Sequence, residues 1–424
     1  MDLPISAARL WDSLMEMATI GPGTQGGSRR LALTDEDRAG RDRFVEWCQQ
    51  AGCTITVDQV GNIFARRAGR DSSLPPVVMG SHLDTQPTGG RFDGVYGVLA
   101  GLEVLRSLND HRITTLHPLE LAVWTNEEGS RFSPPMMGSG VLTGVFTLDE
   151  ILDAVAQDGA RLGDELKRIG YAGTASATDH PMAAYLEAHI EQGPVLEVEG
   201  HQIGVVSGAQ GQRWFEVTVT GQEAHAGPTP MRLRRDALVA AARMVDALHH
   251  LGHRIGGDAC TTVGILDVEP HSRNVIPGKV WFTVDLRHPD DAVLATMEAE
   301  FRQLVADCAA GCGCTAAIAP FWDFPATPFA PALVACVEDT ARAFGFTQRR
   351  IVSGAGHDAV YIARKVPTAM VFIPCIGGIS HNEAEDISLD DAARGAAVLY
   401  RSVLAAARAN PEQMDTSATT YLLK

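Results

Sequence analysis

The sequence predicts an α/β fold interrupted by a smaller α+β unit, and three observations carry that expectation. Short apolar strands alternate with amphipathic helices over the first two hundred residues. From residue 212, QRWFEVTVTGQEAH begins a different pattern of alternating strands and turns. The Pro and Phe punctuation of PFWDFPATPFAP then precedes a return to the first pattern near 325–330. A chain of 424 residues accommodates two substantial domains. The predicted division is 1–211 and 329–424 as one discontinuous domain, with 212–328 inserted.

Taken in order, residues 6–18 and 35–51 have the apolar spacing of helices, and 54–60 and 62–65 read as strands broken at Gly61. A buried strand at 76–80, a polar loop to 94 and a helix at 95–108 follow. The apolar run 119–124 is a second buried strand that delivers TNEEG to its C-terminal end. Residues 150–168 are helical in character. PMAAYLEAHIEQGPVLE places His189, Glu191 and Gln192 where a helix or strand gives way to a loop. In the inserted unit a helix at 234–250, strands near 260–267 and 278–286 and a helix at 290–308 are expected. The chain returns through a helix at 331–344, a core segment at 368–375 and a helix at 392–408. The last dozen residues are expected either to fray or to dock a partner.

Composition narrows the function classes. Fifty-two acidic residues against 35 Lys and Arg give a net charge of −17, which repels phosphate backbones, and no strong basic run offsets it. Eight cysteines are too sparse for a secreted disulfide scaffold. Cys308, Cys312 and Cys314 lack a second pair to complete a zinc framework, so free thiols are expected. No basic segment leads into a long apolar run, and no 18 consecutive residues are apolar, which points to a soluble cytoplasmic protein without nucleic-acid or membrane partners.

The chemistry concentrates at predicted strand ends. In SHLDT, His82 and Asp84 share one face of an extended segment. One imidazole nitrogen of His82 can bind a metal while the other contacts Asp84 or a backbone carbonyl. Asp93, in GGRFDG, adds a carboxylate across a glycine-rich turn, and Glu127 and Glu128 offer two more with opposed directions. An isolated His-x-Asp, Asp-Gly or Glu-Glu serves turns and solvated surfaces; their shared position after hydrophobic strands favours a site. With His189 and His381 they can form a bridged pair of divalent ions. One centre would use His82, Asp93 and His189, the other Asp93, Glu128 and His381, leaving Glu127 to accept and return a proton. Hydrolysis is the chemistry such a pair serves. Arg287, in DLRHPD, has the planar fork suited to a substrate carboxylate.

The ordered series SHLDT, GGRFDG, TNEEG, LEAHIEQGPVLE, QGQRWFEVTVTGQEAHAGPTPM, NVIPG, DLRHPD, GAGHDA and GGISHNEAE resembles the di-metal N-carbamoyl-L-amino-acid hydrolase and allantoate amidohydrolase family, within the aminoacylase-like metallopeptidases. The resemblance covers almost the whole chain. It implies a discontinuous α/β catalytic domain, a mixed sheet flanked by helices, with an inserted α+β dimerisation or lid domain. It implies His82, Asp93, Glu128, His189 and His381 as metal ligands, Asp93 as the bridge, Asp84 as the orienter of His82 and Glu127 as the general acid/base. It further implies substrate contacts at Gln192, His225, Asn274 and Arg287, with Gly356, His357 and Ser380 as recognition positions near closing loops. The implied cofactor is a pair of Zn2+ or Mn2+ ions, Co2+ or Ni2+ serving in vitro. The implied assembly is a homodimer whose site His225 and Asn274 complete across subunits. The expected reaction turns an N-carbamoyl-L-amino acid into amino acid, ammonia and carbon dioxide. Allantoate amidohydrolase and β-ureidopropionase are the enzyme alternatives, and a non-catalytic metal-stabilised binding protein is the alternative of another class.

Overall fold

A computed structural model describes residues 3–408, so the expectation for the last dozen residues lies outside the described part. The chain divides into two compact units, Met1–Ser207 with Pro328–Lys424, and Gly208–Thr327.

The larger unit is built on a mixed sheet. Its strands run in the order Thr54–Val57, Ile63–Arg67, Leu119–Trp124, Val77–His82, Ala184–Ile190, Thr368–Ile373 and Ile203–Ala209. Gln348–Ser353 and the two-residue strand Thr327–Pro328 complete that last edge. The central four strands are mutually parallel, and the strands beyond them on both sides pair antiparallel. Every residue of Val77–His82, Leu119–Trp124, Ala184–Ile190 and Thr368–Ile373 is buried, as expected of parallel strands covered by helices on both faces. The helix Val95–Asp110 is apolar on nearly all sides and buries thirteen of its residues, which makes it a core element; it packs on the sheet and on Leu389–Ala406. Ser6, Thr34 and Ser388 cap Ala7–Ala18, Asp35–Gln50 and Leu389–Ala406 through side-chain oxygens that accept the first free backbone N–H groups.

Parallel strands bring their C-terminal ends to one edge of a sheet, where crossover loops gather. His82 closes one central strand, Thr125–Gly129 follows the second, His189 lies next to last in the third, and the loop carrying His381 follows the fourth. The strand end at His82 lies two residues beyond the expected 76–80.

The smaller unit has its own core, with Phe215, Val217, Met244, Phe282 and Phe301 at its centre. Its antiparallel sheet runs Leu266–Glu269, Lys279–His288, Gly211–Thr220, Thr315–Phe324, with Cys260–Thr262 beside Lys279–His288. Burial alternates along Gly211–Thr220 and Lys279–His288, the pattern of a sheet covered on one face. Helices Ala237–Ile255 and Asp291–Gly311 pack on each other and on this sheet.

Two expected elements divide. The helical stretch 150–168 becomes Leu148–Leu152 and Leu162–Ile169, because Gly159 turns through φ +84° and Asp158 accepts the Ala160 N–H. The strand 260–267 becomes Cys260–Thr262 and Leu266–Glu269, with Gly264 between them. All eight cysteines are free thiols, and no helix among the described residues is long and apolar enough to cross a membrane.

Candidate metal centre

The His82 imidazole is fixed from behind. Its Nδ1 lies 2.9 Å from the Asp84 carbonyl oxygen, which turns Nε2 toward the strand-end edge. The Asp84 carboxylate does other work: it lies 3.9 Å from His82 Nδ1 and accepts the backbone N–H groups of Glu127 and Glu128 at 3.2 Å each. Asp84 therefore orients His82 through its main chain and uses its side chain to hold the TNEEG turn. Burial, with Asp37 adding repulsion, pushes the Asp84 carboxyl up to about 7 against those two N–H groups.

The five expected ligands converge in two groups that share Asp93. His82, Asp93 and His189 bring donor atoms within 4.8 Å of one another, and so do Asp93, Glu128 and His381. His189 Nε2 is 3.3 Å from Asp93 Oδ1, while His381 Nε2 is 3.3 Å from Asp93 Oδ2 and 3.4 Å from Glu128 Oε2. The two oxygens of one carboxylate thus face different imidazoles. His189 Nδ1 is engaged by the Ile190 carbonyl at 2.9 Å, the outer-face bond that fixes a ligating imidazole. Glycine is required at position 94: its φ is +67°, and a Cβ there would lie 2.3 Å from the His82 ring. Asn126, Gln192 and His381 also adopt positive φ without being glycine, and such strain gathers where a surrounding structure over-determines a site.

The electrostatics suit a divalent cation. Burial pushes His82 down to about 4, and burial with the neighbouring carboxylates pushes Glu127 and Glu128 well above the usual range. Burial alone would raise Asp93 as well, but the His381 hydrogen bond and the fields of His189 and His82 hold it low. His381 rises to about 9 through its hydrogen bond to Asp93. A bound divalent ion reverses this pattern by stabilising anionic carboxylates and neutral imidazoles together. Gln192 lays Nε2 3.0 Å from both Asp93 oxygens, while its Oε1 is buried without a partner. Imidazole with carboxylate is a donor set that Zn2+ and Mn2+ accept, so the residues fit the expected pair of ions.

Glu127 is buried, with Oε2 3.4 Å from His82 Nε2. Ser380 Oγ lies 3.3 Å from Asp93 Oδ2 and 2.9 Å from Glu385 Oε2, so its single proton serves one of these two carboxylates at a time. His357 is buried behind His189, ring centroids 4.5 Å apart, with Nε2 2.9 Å from Ser353 Oγ. It therefore packs against the ring of an expected ligand, at a buried place. A third group, Glu187, His189 and His357, also brings donors together, but Glu187 is already satisfied by Ser81 Oγ, Tyr185 OH and the Ala359 N–H. Gly356 lies against Met136.

His225, Asn274 and Arg287 lie on the smaller unit. The strand Ala224–His225 pairs with Val275–Ile276, and the Ala226 N–H bonds the Asn274 carbonyl at 2.9 Å, so one two-stranded ribbon carries both His225 and Asn274. Arg287 lays Nε and Nη2 on Asp285, at 3.0 and 2.8 Å from Oδ2. The motifs did not single out Asp285, Glu385 or Gln86, whose Nε2 donates to Glu128 Oε2 at 2.7 Å. Asp285 and Gln86 were signalled only by their two-residue offset from Arg287 and Asp84, which puts side chains on one face of an extended segment.

Residues 78–405 match the Peptidase family M20/M25/M40. An N-carbamoyl-L-amino-acid amidohydrolase from Rhizobium meliloti is 49% identical over 404 residues, covering 94% of this chain and 96% of that protein. An allantoate amidohydrolase from Bacillus subtilis is 35% identical over 88% of this chain and 91% of its own length. The crystal structure of an amidase of the hydantoinase/carbamoylase family from Burkholderia multivorans is similar with a TM-score of 0.93 and 57% identity, covering 96% of this chain and 98% of that one.

Proposed function

The chain belongs to the M20/M25/M40 peptidase family, in the group of N-carbamoyl-L-amino-acid and allantoate amidohydrolases, and from that premise we propose how its residues act. It is a metal-dependent amidohydrolase that cleaves N-carbamoyl-L-amino acids to L-amino acid, ammonia and carbon dioxide. The observation that carries this function is the pair of donor groups meeting at Asp93 with Glu127 beside them.

In the proposed mechanism His82, Asp93 and His189 would hold one ion and Asp93, Glu128 and His381 the other. When bound, two such ions would supply the positive charge that polarises the ureido carbonyl and lowers the pKa of water. Glu127 takes the proton of the attacking water on a carboxylate oxygen and returns it to the departing nitrogen. One water is consumed for each ammonia and carbon dioxide formed. Its burial keeps bulk water from competing for that proton. Asp84 fixes the main chain on which Glu127 and Glu128 stand. Gln192, His225 and Asn274 contact the substrate, and Arg287, steadied by Asp285, forks onto its free carboxylate. The smaller unit dimerises, with His225 and Asn274 serving the partner's site. Zn2+ or Mn2+ is the resident ion, and the cytoplasm is the location.

Purified protein loaded with Zn2+ or Mn2+ and given N-carbamoyl-L-amino acids, N-carbamoyl-β-alanine and allantoate tests this directly. The expected result is one amino acid per ammonia, with N-carbamoyl-L-amino acids turned over fastest. Preferred turnover of allantoate to ureidoglycine would move the assignment to the allantoate amidohydrolases, and no turnover of any ureido acid would overturn it. Light scattering of the eluted protein should give twice the chain mass; a monomer would remove the shared-site part.

A further inference from the structure

One carboxylate outside the ligand set touches both sides of the centre. Glu385 is buried at 1% exposure. Its Oε1 accepts the backbone N–H groups of Phe92 and Asp93 at 3.0 Å each, and its Oε2 accepts the Ser380 hydroxyl at 2.9 Å. Ser380 is the neighbour of His381, and its Oγ lies 3.3 Å from Asp93 Oδ2 as well. The chain around Glu385 is clasped in the same direction: Glu383 accepts from Thr24, Gln25 and Gly27, and Asp386 accepts from Arg91 at 3.1 Å. Room for the carboxylate is made by Gly90, where a Cβ would come within 2.0 Å of Glu385 Cδ and Oε1.

We propose that Glu385 is a positioning residue that joins the Asp93 turn to the His381 loop, so that the shared ligand and the outer imidazole are held at one geometry. It reaches the Asp93 backbone directly and the His381 loop through its own chain and Ser380. The predicted consequence lies in ion affinity, because supports one bond removed from a ligand typically change metal binding by about 10- to 100-fold. The proposal rests on the metal-ion assignment made above.

Mn2+ binding to metal-free protein, followed by calorimetry, tests it. Glu385→Ala should bind Mn2+ about 10-fold or more weakly than the wild type. Glu385→Gln keeps an oxygen for both N–H groups and an amide for Ser380, and should bind within about threefold of the wild type if position is what matters. Gly90→Ala, at a φ open to any residue, should displace the carboxylate and weaken binding as Glu385→Ala does. Added to Glu385→Ala, it should cost little more. Unchanged Mn2+ affinity in Gly90→Ala, or in folded Glu385→Ala, overturns the proposal. Glu385→Gln as weak as Glu385→Ala overturns it in favour of a charge effect. If Glu385→Ala does not fold, Gly90→Ala and Glu385→Gln decide. A wild type that binds neither Mn2+ nor Zn2+ removes the metal assignment and this proposal together, whereas a wild type that binds alongside unaffected variants removes this proposal alone.

Discussion

At Glu127 the proposed chemistry reduces to one exchangeable proton. Glu127→Gln keeps the side-chain volume and leaves every ligand in place, so metal content should match the wild type while turnover falls about 10²- to 10⁴-fold. Metal analysis alongside the assay checks both halves, and unchanged turnover in a metal-loaded Glu127→Gln protein would remove Glu127 from the mechanism. The convergence of His82, Asp93, Glu128, His189 and His381 was legible because their motifs gather around predicted strand ends, and Glu127 adjoins one of them. The bond that orients His82 was not legible, since a His-x-Asp spacing serves a carboxylate contact and a carbonyl contact equally; the structure uses the carbonyl. Glu385 closes the GGISHNEAE motif, but its contacts were not legible for a related reason. A glutamate four residues after a histidine on a polar loop reads as solvated, and only the opposing Phe92 and Asp93 N–H groups give it a buried place.

At the scale of elements, two buried polar arrangements connect the outer helices and strands to the TNEEG turn. Arg41 and Asp37, both on helix Asp35–Gln50, pair at 2.9 Å with almost no exposure, and Arg41 goes on to the Gly61 carbonyl at 2.7 Å and toward Thr125. Arg41→Met strands the Asp37 charge and should lower stability by about 3–5 kcal/mol, with Asp37→Asn in the same chain restoring part of it; denaturant unfolding of the single and double variants measures this. Asp58 accepts from Val60 and twice from Asn62, and Asn62 in turn accepts the Thr125 N–H. Burial outweighs those bonds and raises the Asp58 carboxyl from 3.8 to about 6. The fold therefore binds a proton there that the unfolded chain has released. The resulting stability is complete below about pH 4 and is lost as pH rises through 6, on the order of 3 kcal/mol in all. Asp58→Asn should flatten that part of the stability profile relative to the wild type, and parallel profiles would contradict the assignment. Strand positions such as 119–124 were legible because uniformly apolar six-residue runs have few other uses. The stretch 150–168, expected to be helical in character, divides into two helices because Gly159 breaks a pattern whose apolar spacing continues on both sides of it.

For the whole molecule, the parallel arrangement of four central strands explains why residues as distant in the chain as His82 and His381 meet at Asp93. The sequence pattern led to an expected inserted unit at 212–328, and the chain divides into two compact units, the smaller at Gly208–Thr327. Strand order was beyond the reach of the sequence, since pairing across the sheet depends on contacts between segments hundreds of residues apart. The net charge of −17 is a property of the whole chain, whereas the proposed recognition of an anionic substrate rests on Arg287, a local cation. The proposed ureido hydrolysis depends on two metal ions. Metal-free protein titrated with Mn2+ while ammonia release from an N-carbamoyl-L-amino acid is followed should show turnover rising to a plateau at two ions per chain, with one amino acid formed per ammonia. Equal turnover without metal, or none at full loading, would contradict it.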